Sequence, residues 1–289
     1  MRTWLPRRSL EKVVESLFVD PPLLSVPEFE GNFYVGPRSH LVSRLLINGN
    51  YEPLLAELAR CLIDSNRDVV DIGANVGFYT VLSARHTRGR VLAIEPTDNA
   101  LRLLRRNIVH NELVNKVLVF EGVVSDVSGE VTLSFLNGKE EYSSIEVIRH
   151  PSVVGVIRSC KTVVSNTLDQ LVKQFVLDPG FIKVDVEGAE HKVYMGASEV
   201  LSNARPIVLS EFSPRLLRAN GADPDDLIRL LRDNGYSLID PIMPKLEVGR
   251  RDYGDLLGVP EERYTDAQLI DIVASAHEKL RQAEIQRRM

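Results

Sequence analysis

In the stretch VVDIGANVGFYT, residues 69–80, two β-branched apolar residues lead into an acid, Asp71. Two glycines follow, Gly73 and Gly77, with Asn75 midway between them. A strand, a glycine turn and a helix start in that order leave backbone N–H groups unpaired, where a nucleotide-like ligand can sit. A tight strand-to-helix connection would use the same residues, so the turn by itself leaves both readings open. Glu95 tips the balance. It closes the next apolar run, VLAIE, at a place where an acid can accept both hydroxyls of a ribose. The expected ligand is a nucleoside lying across two strand ends.

Two nucleoside cofactors meet that description, NAD and S-adenosyl-L-methionine. A dinucleotide site needs G-x-G-x-x-G, whereas this loop reads G-A-N-V-G with Phe78 next. Asp71 would sit poorly beside a pyrophosphate and well beside the ammonium of a methionine group. Asn75 is among the non-glycine residues that best tolerate a left-handed backbone. The loop favours the zwitterionic, phosphate-free cofactor.

These residues need a scaffold of alternating elements, and the sequence supplies one. Strands are expected at VVDIG, RVLAIEP, KVLVFEGVVSD, GFIKVDVEG, PIVLSEF and YSLID. Helices are expected at EPLLAELARCLI, VGFYTVLSARH, DNALRLLRRNIVHN, NTLDQLVKQF, AEHKVYMGASEVLSN and DPDDLIRLLRDNG. Such alternation implies parallel strands joined by right-handed crossovers. GEVTLSFL interrupts with period-2 alternation and reads as an inserted strand. Before the core, SLEKVVESLF has the apolar spacing of an amphipathic helix capped by Ser9, and the prolines of DPPLLSVPEF then forbid helix and central strand alike. At the other end, Thr265 and Gln268 form a capping box. They open a helix whose apolar face holds Leu269, Ile272, Val273, Ala276, Leu280 and Ala283. That face can dock on the core or on a second copy of the chain, so a homo-oligomer through this helix stays open.

Hydrophobic content of 44%, charged content of 26% and a net charge of −5 describe an ordinary soluble protein. The negative balance offers no general attraction for nucleic acid or an anionic membrane. No apolar run approaches the ~20 residues of a bilayer span. With only Cys61 and Cys160 and no signal-peptide pattern, a cytoplasmic location is expected.

VVDIGANVGFYT, AIEPTDNALRLLRRNI, FIKVDVEGAEHKVYMGA and PIVLSEF, in this order, resemble the FkbM family of S-adenosylmethionine-dependent methyltransferases. The resemblance spans about residues 50–240. It implies an α/β class I methyltransferase (Rossmann-like) fold, a mostly parallel seven-stranded sheet with helices on both faces. A core at 50–245 would then carry an N-terminal helical or irregular extension, 1–49, and a C-terminal helical extension, 246–289. It also implies methyl transfer to a hydroxyl oxygen of a small molecule, a natural product or sugar. Within it, Asp71, Gly73, Asn75 and Gly77 form the methionine-side loop and Glu95 holds the ribose. Ser125 and Asp126 end the third strand, where the fold places the adenine edge, although SDVSGE also has the composition of a plain turn. Glu52 in GNYEP resembles an acid that precedes the core in the family.

Methyl transfer to oxygen needs an aligned donor and a base. The strand end IKVDVEGAEH supplies the candidates Asp185, Glu187 and His191. Glu190 there reads as a helix-dipole partner. Asp185 and Glu211 end neighbouring strands in this reading, so the two carboxylates could share an Mg²⁺ ion. A nicotinamide-dependent oxidoreductase and a nucleoside-binding protein without turnover are the alternatives.

Overall fold

The computed structural model describes residues 17–37, 39–136, 139–144 and 158–288. The amphipathic helix expected from Leu10 to Phe18 lies outside them but for its last two residues. The described chain opens with a hairpin, β1 (Leu23–Val26) and β2 (Gly31–Tyr34), joined by a 3₁₀ turn at Pro27–Phe29. The prolines that forbid a central strand thus permit a two-stranded edge. Helices α1 (His40–Asn48) and α2 (Pro53–Leu62) follow.

The core then alternates as expected. β3 (Asp68–Ile72), α3 (Phe78–His86), β4 (Val91–Glu95), α4 (Asp98–His110) and β5 (Val117–Glu121) build one half. In α4, Leu101, Leu104 and Ile108 are buried while Arg102, Arg105 and Arg106 stay exposed, the pattern of a helix laid on a sheet. The other half comprises α5 (Leu168–Phe175), β10 (Pro179–Val184), α6 (Glu190–Met195), β11 (Ile207–Glu211), α7 (Pro214–Ala219), α8 (Pro224–Asp233) and β12 (Tyr236–Ile239). Thr167 caps α5 by accepting the Gln170 N–H at 3.2 Å. A small sheet intervenes: β6 (Val123–Val124), β7 (Gly129–Leu136), β8 (Lys139–Ser144) and β9 (Arg158–Asn166).

The main sheet is seven-stranded, with a last strand β13 (Asp255–Pro260) and the order β12-β13-β11-β10-β3-β4-β5. β3 pairs in parallel with both β4 and β10, so the chain leaves the middle of the sheet in both directions and creates a switch point between β3 and β10. This is the mostly parallel seven-stranded sheet that the resemblance implies. Its antiparallel member, β13, inserts between β11 and β12. It comes from the segment expected to be a helical extension, so the sheet runs past residue 245. DLLGVP is a short apolar run without alternation, and burial between two strands gives it its form.

A second correction concerns the third strand. The run expected over KVLVFEGVVSD divides at Gly122, where any Cβ would lie 2.4 Å from the Val164 carbonyl oxygen. β5 stays in the main sheet and β6 crosses into the small one. Ser125 and Asp126 therefore follow β6 instead of ending a main-sheet strand. The closing helix, α9 (Asp266–Arg288), has the expected capping box: Gln268 N–H reaches Thr265 Oγ1 at 3.3 Å, and Thr265 N–H reaches Gln268 Oε1 at 2.9 Å. Leu269, Val273 and Ala276 are buried on the core beside α2, so this face is covered by the same chain.

Strand alternation sorts the core into two layers. Val69, Val91, Ala93, Phe181 and Leu209 face α2, α3, α4, α9 and the hairpin, whereas Val70, Ile72, Leu92, Ile182 and Val184 face α5, α6 and α8. Asp71, Lys183 and Glu211 continue the first series, on the hairpin side, near the carboxyl edge.

Candidate active site

The chain leaves β3 through a turn laced to both neighbouring strands. Gly73 N–H and Ala74 N–H both donate to the Ile94 carbonyl, at 3.0 and 2.9 Å, and Asp185 N–H donates to Ile72 O at 2.9 Å. Gly73 has φ +82°, and a Cβ there would stand 1.8 Å from the Asp185 carbonyl oxygen. Only glycine fits a left-handed residue against another strand's backbone. Asn75 has φ 50° and Gly77 φ 93°, so the tolerance expected of Asn75 is used. Asn75 N–H donates to Glu95 Oε2 at 2.9 Å.

Glu95 is thereby built into the turn. Its Oε1 accepts from Thr97 N–H at 2.9 Å and from Thr97 Oγ1 at 2.6 Å, and burial pushes its carboxyl above the ordinary value against these bonds. Asp71 lies beneath the turn with 2% exposure, its Oδ2 accepting from Thr80 Oγ1 at 2.5 Å. Burial raises it to about 6. Its register partner on β10 is Lys183.

Lys183 went unread in the sequence, and the structure makes it the hub of the site. Its side chain is buried, and its Nζ stands 3.3 Å from Asp185 Oδ2 and 5.1 Å from the centroid of the Tyr79 ring. Burial alone would lower its ammonium, but Asp185, Glu52, Asp255 and Glu211 together hold it above its ordinary value. The signal was available: a lysine inside FIKVDV shares its side of the strand with Asp185. Asp255 was also missed, because β13 was not read as a strand. It is the register partner of Glu211, and burial pushes it to about 7.

Glu52 reaches the same place from the other side. It precedes Pro53 at the start of α2 with φ 45°, and its Oε2 accepts from the Tyr79 hydroxyl at 2.9 Å. Burial raises its carboxyl, Lys183 opposes that, and Asp185 adds to it. Asp185, Glu187 and Glu211 bring one oxygen each within 4.8 Å of one another. Glu211 Oε2 is buried without a hydrogen-bond partner among the described residues, and burial and then Glu187 lift its carboxyl well above the ordinary range.

The expected residues do not all converge. His191 lines a groove beside α6 together with Asp126, Lys192, Met195, Asn220 and Asp226, and none of Asp185, Glu187 or Glu211 lines it. Ser125 is buried, with its hydroxyl on Asp126 Oδ1 at 2.8 Å. Glu190 is fully buried and accepts from Val186 N–H and Gly188 N–H, holding its own turn.

The family model for the methyltransferase FkbM domain matches residues 71–238, from the acid before the turn to β12. Among curated proteins, Methyltransferase sdnD of Sordaria araneosa is 24% identical over 203 residues, covering 61% of this chain and 76% of that protein. Among solved structures, methyltransferase FkbM from Methylobacillus flagellatus KT aligns with a TM-score of 0.45 at 14% identity, over 88% of this chain. This chain spans 58% of that relative's length. An O-methyltransferase from Bacillus cereus in complex with SAH aligns with a TM-score of 0.44 at 14% identity, over 87% of this chain and 97% of that one.

Proposed function

The chain belongs to the FkbM family of methyltransferases, and from that premise we propose that it moves a methyl group from S-adenosyl-L-methionine to a hydroxyl oxygen of a small molecule. The observation that carries the choice of cofactor is the charge at the switch point. Asp71, Asp185, Glu211, Asp255 and Glu52 gather around one buried ammonium, Lys183, and Glu95 adds its carboxyl beside Asp71. Such a site suits a sulfonium and an ammonium and opposes the pyrophosphate of a dinucleotide. It likewise opposes the phosphates of a nucleic-acid acceptor.

The cofactor supplies a methyl group that is already activated. The chain's own residues supply place and a proton acceptor. The turn from Gly73 to Gly77 gives close backbone approach, and Glu95 accepts from the ribose on Oε2, which takes only the Asn75 N–H and has room for a second bond, whereas Oε1 is already filled by Thr97. Asp126, on the groove with His191, faces the adenine edge. Asp185, half-buried at the tip of β10, takes the acceptor's proton on Oδ1 while Lys183 holds Oδ2. Glu187 is the neighbouring carboxylate, and the position of His191 in its separate groove removes it as the proton acceptor. Asp185, Glu187 and Glu211 offer the oxygen donors that Mg²⁺ prefers, and an ion held there would lower the pKa of the acceptor hydroxyl.

Isothermal titration with S-adenosylhomocysteine and NAD side by side tests the cofactor, and label transfer from S-adenosylmethionine to a panel of hydroxyl compounds tests the reaction. Binding of NAD with no binding of S-adenosylhomocysteine would overturn the reading.

A further inference from the structure

The peptide unit between Val76 and Gly77 closes the cofactor turn, and it is gripped at both ends. Its N–H, on Gly77, donates to Ala74 O at 2.8 Å. Its C=O, on Val76, accepts from Asn107 Nδ2 at 2.8 Å. Asn107 belongs to α4, is fully buried, and spends its remaining capacity on the N-terminal hairpin. Nδ2 also donates to Tyr34 O at 3.0 Å, and Oδ1 accepts from Tyr34 N–H at 2.7 Å. One amide thus joins β2 to the turn. The same hairpin packs Phe29 and Phe33 on Phe78, the first residue of α3, with ring centroids 5.1 and 4.7 Å apart. The hairpin lies ahead of residues 71–238, so the family match does not include it.

We propose that Asn107 is a positioning residue for the cofactor, locking the Val76–Gly77 peptide plane and tying the glycine turn to the N-terminal hairpin. The inference rests on the reading that this turn binds S-adenosylmethionine. A peptide held at one end only can rotate about its flanking bonds, and Gly77, with φ 93°, resists such rotation poorly. Binding must then order the turn and loses affinity in proportion.

Asn111, one turn further along, provides a matched control. It clamps the same hairpin, donating to Asn32 O at 2.9 Å and accepting from Asn32 N–H at 3.3 Å, and makes no hydrogen bond to the turn among the described residues. The experiment titrates S-adenosylhomocysteine into the wild type, Asn107→Leu, Asn107→Ser and Asn111→Leu, reading Kd separately from stoichiometry. Both Asn107 variants should weaken binding by about tenfold or more, raising KM for S-adenosylmethionine while kcat at saturation changes by less than about threefold; Asn111→Leu should keep Kd within about threefold. The serine variant leaves room for a water and carries the test if the leucine variant does not fold. An unchanged Kd with reduced stoichiometry in the Asn107 variants would show a residue that only supports the fold. Equal weakening by Asn111→Leu would place the effect in the hairpin and not in the turn; either result overturns the proposal. A wild type that binds no S-adenosylhomocysteine overturns the cofactor reading itself.

Discussion

Replacing Glu95 by glutamine separates two jobs that the structure gives one carboxylate. In the free protein Glu95 receives Asn75 N–H through Oε2 and the Thr97 N–H and hydroxyl through Oε1. A glutamine that keeps its oxygen towards Thr97 turns an NH₂ group towards the Asn75 N–H, and that bond is lost. A hydrogen bond to a charged group contributes about 1.5–3 kcal/mol, while removal of a buried charge returns part of that. The midpoint of the unliganded protein should therefore fall by a few degrees at most, since about 1 kcal/mol is worth about 2–4 °C in a chain of this size. In the complex the ribose loses its charged acceptor as well, a further ~1.5–3 kcal/mol, or about 10–150-fold in Kd. Thermal melts of the unliganded variant and titration with S-adenosylhomocysteine read the two terms separately. The 2′-deoxy analogue should bind the variant and the wild type with a much smaller difference. A Kd within twofold of wild type, or an analogue that loses as much as its parent, would refute the ribose role.

Gly73→Ala should abolish cofactor binding and lower the unliganded melting midpoint, because its Cβ would stand 1.8 Å from the Asp185 carbonyl; strain of this kind costs about 1–3 kcal/mol, and wild-type affinity in the variant would contradict the geometry. Burial raises Asp71 to about 6 and Asp255 and Glu190 to about 7, so these groups keep protons in the fold that the unfolded chain, with pKa values of about 4, has lost. Their contribution to stability is fully present below about pH 4 and is lost as pH rises through 6 to 7, so melts of the unliganded protein should show a midpoint falling from about pH 5 to pH 8; a rising midpoint would contradict the buried-acid cluster. If Asp185, Glu187 and Glu211 hold an ion, excess EDTA should suppress methyl transfer and Mg²⁺ should restore it, whereas full turnover in chelator would leave Asp185 acting without metal.

Much of this site was legible because its signals are local. A strand's side chains alternate with period two, so Asp71 before its glycines and Glu95 closing VLAIE could be placed at strand ends from their neighbours in sequence alone. The capping box at Thr265 and the apolar face of α9 are equally local, and both appear in the fold. Strand adjacency is different. Asp255 meets Glu211 only because β13 slips between β11 and β12, and nothing in DLLGVP names its partners. The break of the third strand at Gly122 depends on the Val164 carbonyl brought up by β9, and the parting of His191 from Asp185 depends on where α6 lies beside the turn after α7. Lys183 could be read as an oddity in an apolar strand, but its role as the buried cation among acids from β3, the end of β10, β11, β13 and the start of α2 required all five to be assembled. Residue types and their spacing determined which groups could do chemistry. Packing between segments far apart in sequence determined which of them share a low-dielectric space, and interactions between charges are strong only there.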